Sequence, residues 1–185
     1  MTGARNKDFW VFGYGSLMWR PGFRYRERRA ARLYGFHRAL CVNSVRYRGT
    51  LKKPGLVLGL DRGGSCVGRV FRVAAKDFAR VMAYLHAREM PRKVYNPRWL
   101  RVETPKGPVR AYTFVVRRDH PQYTGRLSLK AMVRKILAGR GIGGTCLDYV
   151  RETVRHMDEL GVGDTPLHRV LAAAEKAAKT TKKRR

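Results

Sequence analysis

Phe9-Trp10-Val11-Phe12-Gly13-Tyr14-Gly15-Ser16-Leu17 is the stretch on which the reading of this chain turns. Its first half is an aromatic, β-favouring run that reads as a buried first strand. Two glycines then flank Tyr14 and mark a tight loop. Glycine permits unusual backbone angles and close approach of the main chain to a ligand. The N–H groups of Ser16 and Leu17 lie near the turn, where they could form an anion nest or an oxyanion hole. An ordinary tight turn around a packed tyrosine uses the same residues, and the local pattern does not separate the two.

Downstream, Leu33–Val45 and Leu56–Leu60 read as strands, the second opened by Pro54-Gly55. Gly63-Gly64 marks a turn and Cys66–Val73 runs back, which predicts a hairpin between Leu56–Leu60 and Cys66–Val73. A helix is expected over Ala75–Met90, with Phe78, Val81, Met82 and Leu85 on one face and Pro91 ending it. Strands follow at Lys93–Val102 and Val109–Val116, around the turn Pro105-Lys106-Gly107-Pro108. The last third is helical. Ser128 caps a helix with the stripe Leu129, Met132, Val133, Ile136 and Leu137. Thr145, with Asp148 three residues on, caps another with the stripe Leu147, Val150, Val154, Met157 and Leu160. Asp164-Thr165-Pro166 opens a final helix. Strands first and helices later argue for an α+β fold, expected as a single domain over residues 1–175 with a basic, disordered tail at 176–185.

Composition narrows the function classes. A chain of 185 residues, 44% apolar and 10% aromatic, is long and apolar enough for a core. No run approaches the length of a membrane span, and the polar start Met1–Asp8 has no apolar signal region, so a soluble chain off the membrane is expected. Cys41, Cys66 and Cys146 are odd in number and widely spaced, which points to a reducing cytoplasm. The five histidines show no ligand spacing and no pairing with cysteine, so a metal site is not expected. Gly139, Gly141 and Gly144 match G-x-G-x-x-G, but they follow a helix instead of a strand and read as a C-cap and linker. The 41 Lys and Arg against 13 Asp and Glu give a net charge of +28. Such a surface attracts polyanions such as nucleic acid. Because the basic residues are dispersed along the chain outside the tail, a merely solvated basic surface is the favoured reading. Oligomeric state leaves no mark in the sequence.

Glu89 lies four, seven and eleven residues beyond Leu85, Met82 and Phe78, on the apolar side of the expected helix. A carboxylate there is desolvated and its pKa rises, as a general base requires. Alternatively the helix frays before Pro91 and Glu89 pairs with Arg88 or Arg92 at the surface. Periodicity leaves both open.

Several motifs in order resemble the ChaC-type γ-glutamylcyclotransferases. The resemblance begins with Trp10–Leu17, Trp19 and Pro21-Gly22-Phe23, then Tyr47-Arg48-Gly49-Thr50 and Pro54–Asp61. It continues through Gly63–Gly68, Arg88-Glu89-Met90, Val94-Tyr95 and Pro97-Arg98-Trp99. Asp119–Tyr123, Asp148-Tyr149, Thr153-Val154 and Leu160–Asp164 complete it. Pro91, Ala87, the loose Gly161-Val162-Gly163 and the extreme charge depart from the family pattern; none touches the glycine loop or the glutamate. The resemblance implies a small closed β-barrel flanked by helices. It implies a substrate pocket lined by Val11, Phe12, Gly13, Tyr14, Gly15, Ser16 and Leu17, with a catalytic acid/base at Glu89. Tyr123 matches a tyrosine that the family places over the pocket, and Arg48 matches a motif residue read here as a substrate contact. The implied reaction converts glutathione to 5-oxoproline and Cys-Gly without cofactor or metal. Two alternatives stand: a cyclotransferase of other γ-glutamyl amines or amino acids, and a basic nucleic-acid-binding module on an inactive barrel.

Overall fold

A computed structural model describes residues 7–163 and 165–183, with side chains as far as residue 180. Five strands form the main sheet: β1 (Phe9–Gly13), β2 (Glu27–Ser44), β3 (Gly55–Val73), β4 (Tyr95–Val102) and β5 (Val109–Val116), in the order β2-β3-β1-β5-β4. The aromatic run before the glycine loop becomes β1 and sits at the centre. It pairs antiparallel with β3 (Phe9 opposite Val73, Gly13 opposite Arg69) and parallel with β5 (Trp10 opposite Ala111). Phe9, Val11 and Phe12 are buried, because a strand covered on both faces needs near-continuous apolar side chains.

The α+β class is borne out, and the closed barrel is not. β2 and β4 are the two ends of the strand order, so the sheet is open. A single bridge joins Arg32 to Glu103, just beyond β4, through two hydrogen bonds of 2.8 Å. One bridge does not continue a ladder.

The hairpin expected at Gly63-Gly64 is also corrected. β3 runs unbroken from Gly55 to Val73, with both glycines inside it at φ +96° and +69°. The left-handed angles that would serve a turn here bend a continuous strand, and the His37 ring bonds Gly63 O at 3.0 Å. β2 begins at Glu27, earlier than expected, with Arg28, Ala30 and Arg32 exposed and Ala31 and Leu33 buried.

The chain falls into two compact units. The first takes the residues up to Arg38 with Leu60–Arg117; the second takes Ala39–Gly59 with Arg118 onward. In the first, helix α1 (Phe78–Glu89) follows a short 3-10 turn at Ala75–Asp77. Its Val81 and Leu85 are fully buried and join Phe9, Val11, Leu17, Phe23, Phe71, Tyr112 and Phe114 in one core. Phe78 keeps 46% of its surface exposed, though its ring meets Phe9 edge-on at 5.0 Å. The helix is closed by Met90 N–H donating to His86 O, one residue before Pro91.

The second unit holds α2 (Leu129–Ala138), the short hairpin β6 (Arg140–Gly141) and β7 (Gly144–Thr145), α3 (Cys146–Asp158) and α4 (Pro166–Lys183). Ser128 and Thr145 cap α2 and α3 as expected, accepting from Ala131 N and Asp148 N. The glycines of the G-x-G-x-x-G string serve packing. A Cβ on Gly139 would collide with Arg48 O, and one on Gly141 would collide with Arg46 O. Only glycine lets the hairpin approach the 46–48 backbone this closely. Cys146 Sγ donates to Leu56 O at 3.0 Å, and Tyr149 Oη accepts from Leu58 N. Cys41, Cys66 and Cys146 are buried, and none is in a disulfide among the described residues. The basic segment expected as a disordered tail is helical as far as Lys183, with residues 184–185 outside the described set; Asp164, expected at the start of the last helix, is also outside it. Among the described residues no helix is long and apolar enough to cross a membrane.

Candidate active site

The loop after β1 is a 3-10 turn, Ser16–Met18, closed by Met18 N–H donating to Gly15 O at 2.8 Å and Arg20 N–H donating to Ser16 O at 2.8 Å. Gly13 is required by space: a Cβ there would lie 2.9 Å from Leu17 Cβ. Tyr14, Leu17 and Met18 are buried and Ser16 is partly open. The N–H groups of Ser16 and Leu17 open the turn, a position that leaves donors without intrahelical partners.

Three arginines strap this loop. Arg38 donates from Nε to Tyr14 O at 2.6 Å and from Nη2 to Val67 O at 2.7 Å. Arg69, itself buried, donates to Met18 O at 3.0 Å. Arg88 donates from Nη2 to Ser16 Oγ at 2.8 Å and from Nη1 to Tyr84 Oη at 2.9 Å and to Arg20 O. Its remaining nitrogen, Nε, stands 3.0 Å from Glu89 Oε1. One planar guanidinium therefore joins the last residue of α1 to the glycine loop, a task that suits its fixed fork of donors.

Glu89 is partly withdrawn from solvent, its side chain 21% exposed. Burial pushes its pKa above the ordinary carboxylate range, and the Arg88 charge and hydrogen bond oppose that rise without cancelling it. Both sequence readings of Glu89 hold in part: it sits on the inward side of an intact helix, and it pairs with Arg88.

The structure thus brings Val11–Leu17 and Glu89 together in the first unit, through Arg88. Arg48 and Tyr123 belong to the second. Arg48 Nη1 donates to Thr145 O at 3.2 Å and its guanidinium lies 5.4 Å from the Tyr149 ring centre. Tyr123 bridges to Val42, with Thr124 N–H donating to Cys41 O and Asn43 N–H to Gln122 O. The sequence reading missed Arg38, Arg69 and the second role of Arg88. Apart from Tyr84 Oη, one helical turn from Arg88, their partners in the loop are distant backbone carbonyls and the Ser16 hydroxyl, which leave no periodic signature among so many arginines. Among the described residues no cluster of His, Cys, Asp and Glu could hold a metal ion.

The central strand of this open sheet thus ends in an arginine-strapped glycine loop that Arg88 ties to a desolvated glutamate at a helix end. The chain belongs to the ChaC-like protein family, whose model matches residues 9–177. It is 32% identical over 168 residues to the glutathione-specific γ-glutamylcyclotransferase of Escherichia coli, covering 90% of this chain and 73% of that one. It is 31% identical over 157 residues to the human glutathione-specific γ-glutamylcyclotransferase 1, covering 82% and 71%. The fold matches a yeast crystal structure of a γ-glutamyl cyclotransferase specific to glutathione, with TM-score 0.83, 18% identity and coverage of 92% and 97%.

Proposed function

We propose that this chain is a glutathione-specific γ-glutamylcyclotransferase with Glu89 as its acid/base. The observation that carries the reading is the Arg88 guanidinium, which ties a carboxylate of raised pKa to the loop that offers backbone donors. The substrate class is supported by the names of the relatives.

In this reaction the γ-glutamyl α-amine of glutathione attacks its own γ-carbonyl carbon. The C–N bond of the lactam forms, the amide bond to cysteine breaks, and 5-oxoproline and Cys-Gly leave with no water consumed. The nucleophile is already attached, so the enzyme mainly has to hold an attack conformer. Glu89 takes a proton from the attacking ammonium and returns one to the departing nitrogen; a carboxyl with a raised pKa can do both. Ser16 and Leu17 N–H groups are the donors assigned to the developing oxyanion. Val11, Phe12, Gly13, Tyr14 and Gly15 shape the wall that receives the glutamyl end. For Tyr123 and Arg48 the support is the family resemblance, and the contacts of Arg48 with Thr145 and Tyr149 favour a positioning part for it. Thiols outside any disulfide fit a reducing compartment, and we place the enzyme in the cytoplasm on that ground.

The test is 5-oxoproline release from reduced glutathione by wild type and Glu89→Gln, with γ-glutamyl amino acids as a second substrate set. Loss of roughly 100-fold or more in the variant is expected for removal of a general base. Turnover by Glu89→Gln near the wild-type rate would sink the assignment, and equal turnover of both substrate sets would remove the glutathione specificity.

A further inference from the structure

The charge of the second unit is sorted by helix. The acids of α3 and its neighbours are engaged: Arg151 holds Asp148 and Glu175, Arg155 holds Glu152 and Glu159, and Asp158 Oδ1 lies 2.8 Å from His168 Nε2 of α4. α2 contains no acid, and α4 contains only Glu175, which Arg151 draws toward α3. α2 and α4 pack on each other. Their exposed positions include Lys130 and Arg134 on α2 and Arg169, Lys176 and Lys179 on α4. Among the described residues, none of these five stands in an ion pair. Lys176 and Lys179 are carried on a helix, and this fixes the spacing. Arg169 and Lys176 are about 10 Å apart along the axis and Lys179 is about 4.5 Å further on.

We propose that the exposed side of the α2–α4 pair binds the phosphate backbone of nucleic acid, without reading sequence. Fixed cations that outnumber the nearby acids release counterions from a polyphosphate, and this supplies non-specific affinity. An anionic membrane fits less well. A membrane-surface helix needs an apolar face free for the acyl boundary. The apolar face of α4, Leu167, Val170 and Ala174, is already buried, and its exposed stripe is Arg169, Ala172, Lys176, Lys179 and Thr180.

Two full-length variants separate a built face from bulk charge. One is Arg169→Glu with Lys176→Glu and Lys179→Glu. The other, with the same change in net charge, is Lys76→Glu with Arg98→Glu and Arg110→Glu, all exposed in the first unit. Binding is measured by anisotropy against a labelled scrambled 20-base-pair DNA duplex, the matching RNA duplex, and vesicles containing phosphatidylserine, from 50 to 200 mM salt. The wild type should bind at least one duplex with a steep salt dependence. The α4 variant should lose at least ten-fold in affinity. Its log–log salt slope should fall by about 2.7, at about 0.9 for each phosphate that the three cations no longer neutralise. The first-unit variant should keep the wild-type slope to within about 0.9, the share of a single phosphate. The DNA and RNA arms show which backbone is preferred. Far-ultraviolet circular dichroism checks that α4 persists. If it melts, Lys176→Gln with Lys179→Gln replaces the triple change, with an expected fall in slope of about 1.8. Equal weakening by both reversals, no duplex binding at 50 mM salt, or binding to vesicles alone would each overturn the proposal.

Discussion

Arg88→Lys should cost this enzyme about 10- to 100-fold in kcat with little change in KM. Arg88 uses three nitrogens on five groups: Nε toward Glu89 at 3.0 Å, Nη2 to Ser16 Oγ at 2.8 Å, and Nη1 to Tyr84 Oη at 2.9 Å and to the carbonyls of Arg20 and Pro21. A lysine keeps the charge but has one nitrogen, and it cannot span Ser16 and Glu89 together. A hydrogen bond to a charged group contributes about 1.5–3 kcal/mol, and both side chains are only about a fifth exposed, so solvent replaces the missing bonds poorly. If the equivalent of one such bond is removed from alignment in the transition state, the rate falls by about 10- to 100-fold, since about 1.4 kcal/mol is a factor of ten. Arg88→Met is the companion. It removes the cation that opposes the desolvation of Glu89, so the carboxyl should titrate at still higher pH and the acid limb of kcat/KM should move alkaline. The assay is initial-rate 5-oxoproline release from pH 5 to 9, with kcat and KM separated. A merely structural Arg88 would lower the amount of folded enzyme and leave the acid limb in place. Wild-type kcat in Arg88→Lys, together with an unmoved acid limb in Arg88→Met, would show that Arg88 neither aligns nor tunes Glu89.

Glu89→Gln should also change stability in a pH-dependent way. The folded-state pKa of Glu89 is raised above its ordinary 4.5, so its contribution is fully present below that value and is lost as pH rises through the folded pKa. The variant should therefore gain on wild type in urea midpoints from pH 4.5 upward; a difference that is flat with pH would contradict the desolvation. Gly13→Ala should lose activity while the domain stays folded, because the added Cβ meets Leu17 Cβ at 2.9 Å and the loop must give way; wild-type kinetics would show the loop tolerates the shift. The Cys146 thiol is pushed up to about 11 by burial, so it should resist thiol reagents at pH 8 until urea unfolds the chain, and fast labelling of native protein would count against its place under Leu56.

Much of this fold could be read in advance because its signals are local. The apolar run of β1, the Val81/Leu85 stripe of α1 and the Ser128 and Thr145 caps each depend on residues within a turn or two. Gly63-Gly64 misled for the opposite reason. A reversal and a bend inside a strand use the same left-handed angles, and what decides between them is how distant strands pair. The basic tail misled through composition. Charge argued for disorder, but Ala and Lys are good helix formers, and Leu167, Val170 and Ala174 anchor the helix from which the segment continues.

Glu89 illustrates the limit most sharply. An inward base and an ion pair with Arg88 look like exclusive alternatives in the sequence, and the fold combines them. On the proposed chemistry the combination is useful. A carboxylate that only suffered desolvation would hold its proton too tightly to act as a base near neutral pH. One held by a strong exposed ion pair would be too weakly basic to take a proton from an ammonium. Burial raises the pKa of Glu89 and Arg88 restrains the rise, leaving a group able to accept a proton and to give it back. The restraining guanidinium also grips Ser16, so any displacement of the loop is felt at the carboxylate. Periodicity along α1 could place Glu89 on the inward side. The guanidinium that tunes it is itself steered by a loop 72 residues earlier in the chain, and no helical repeat encodes that.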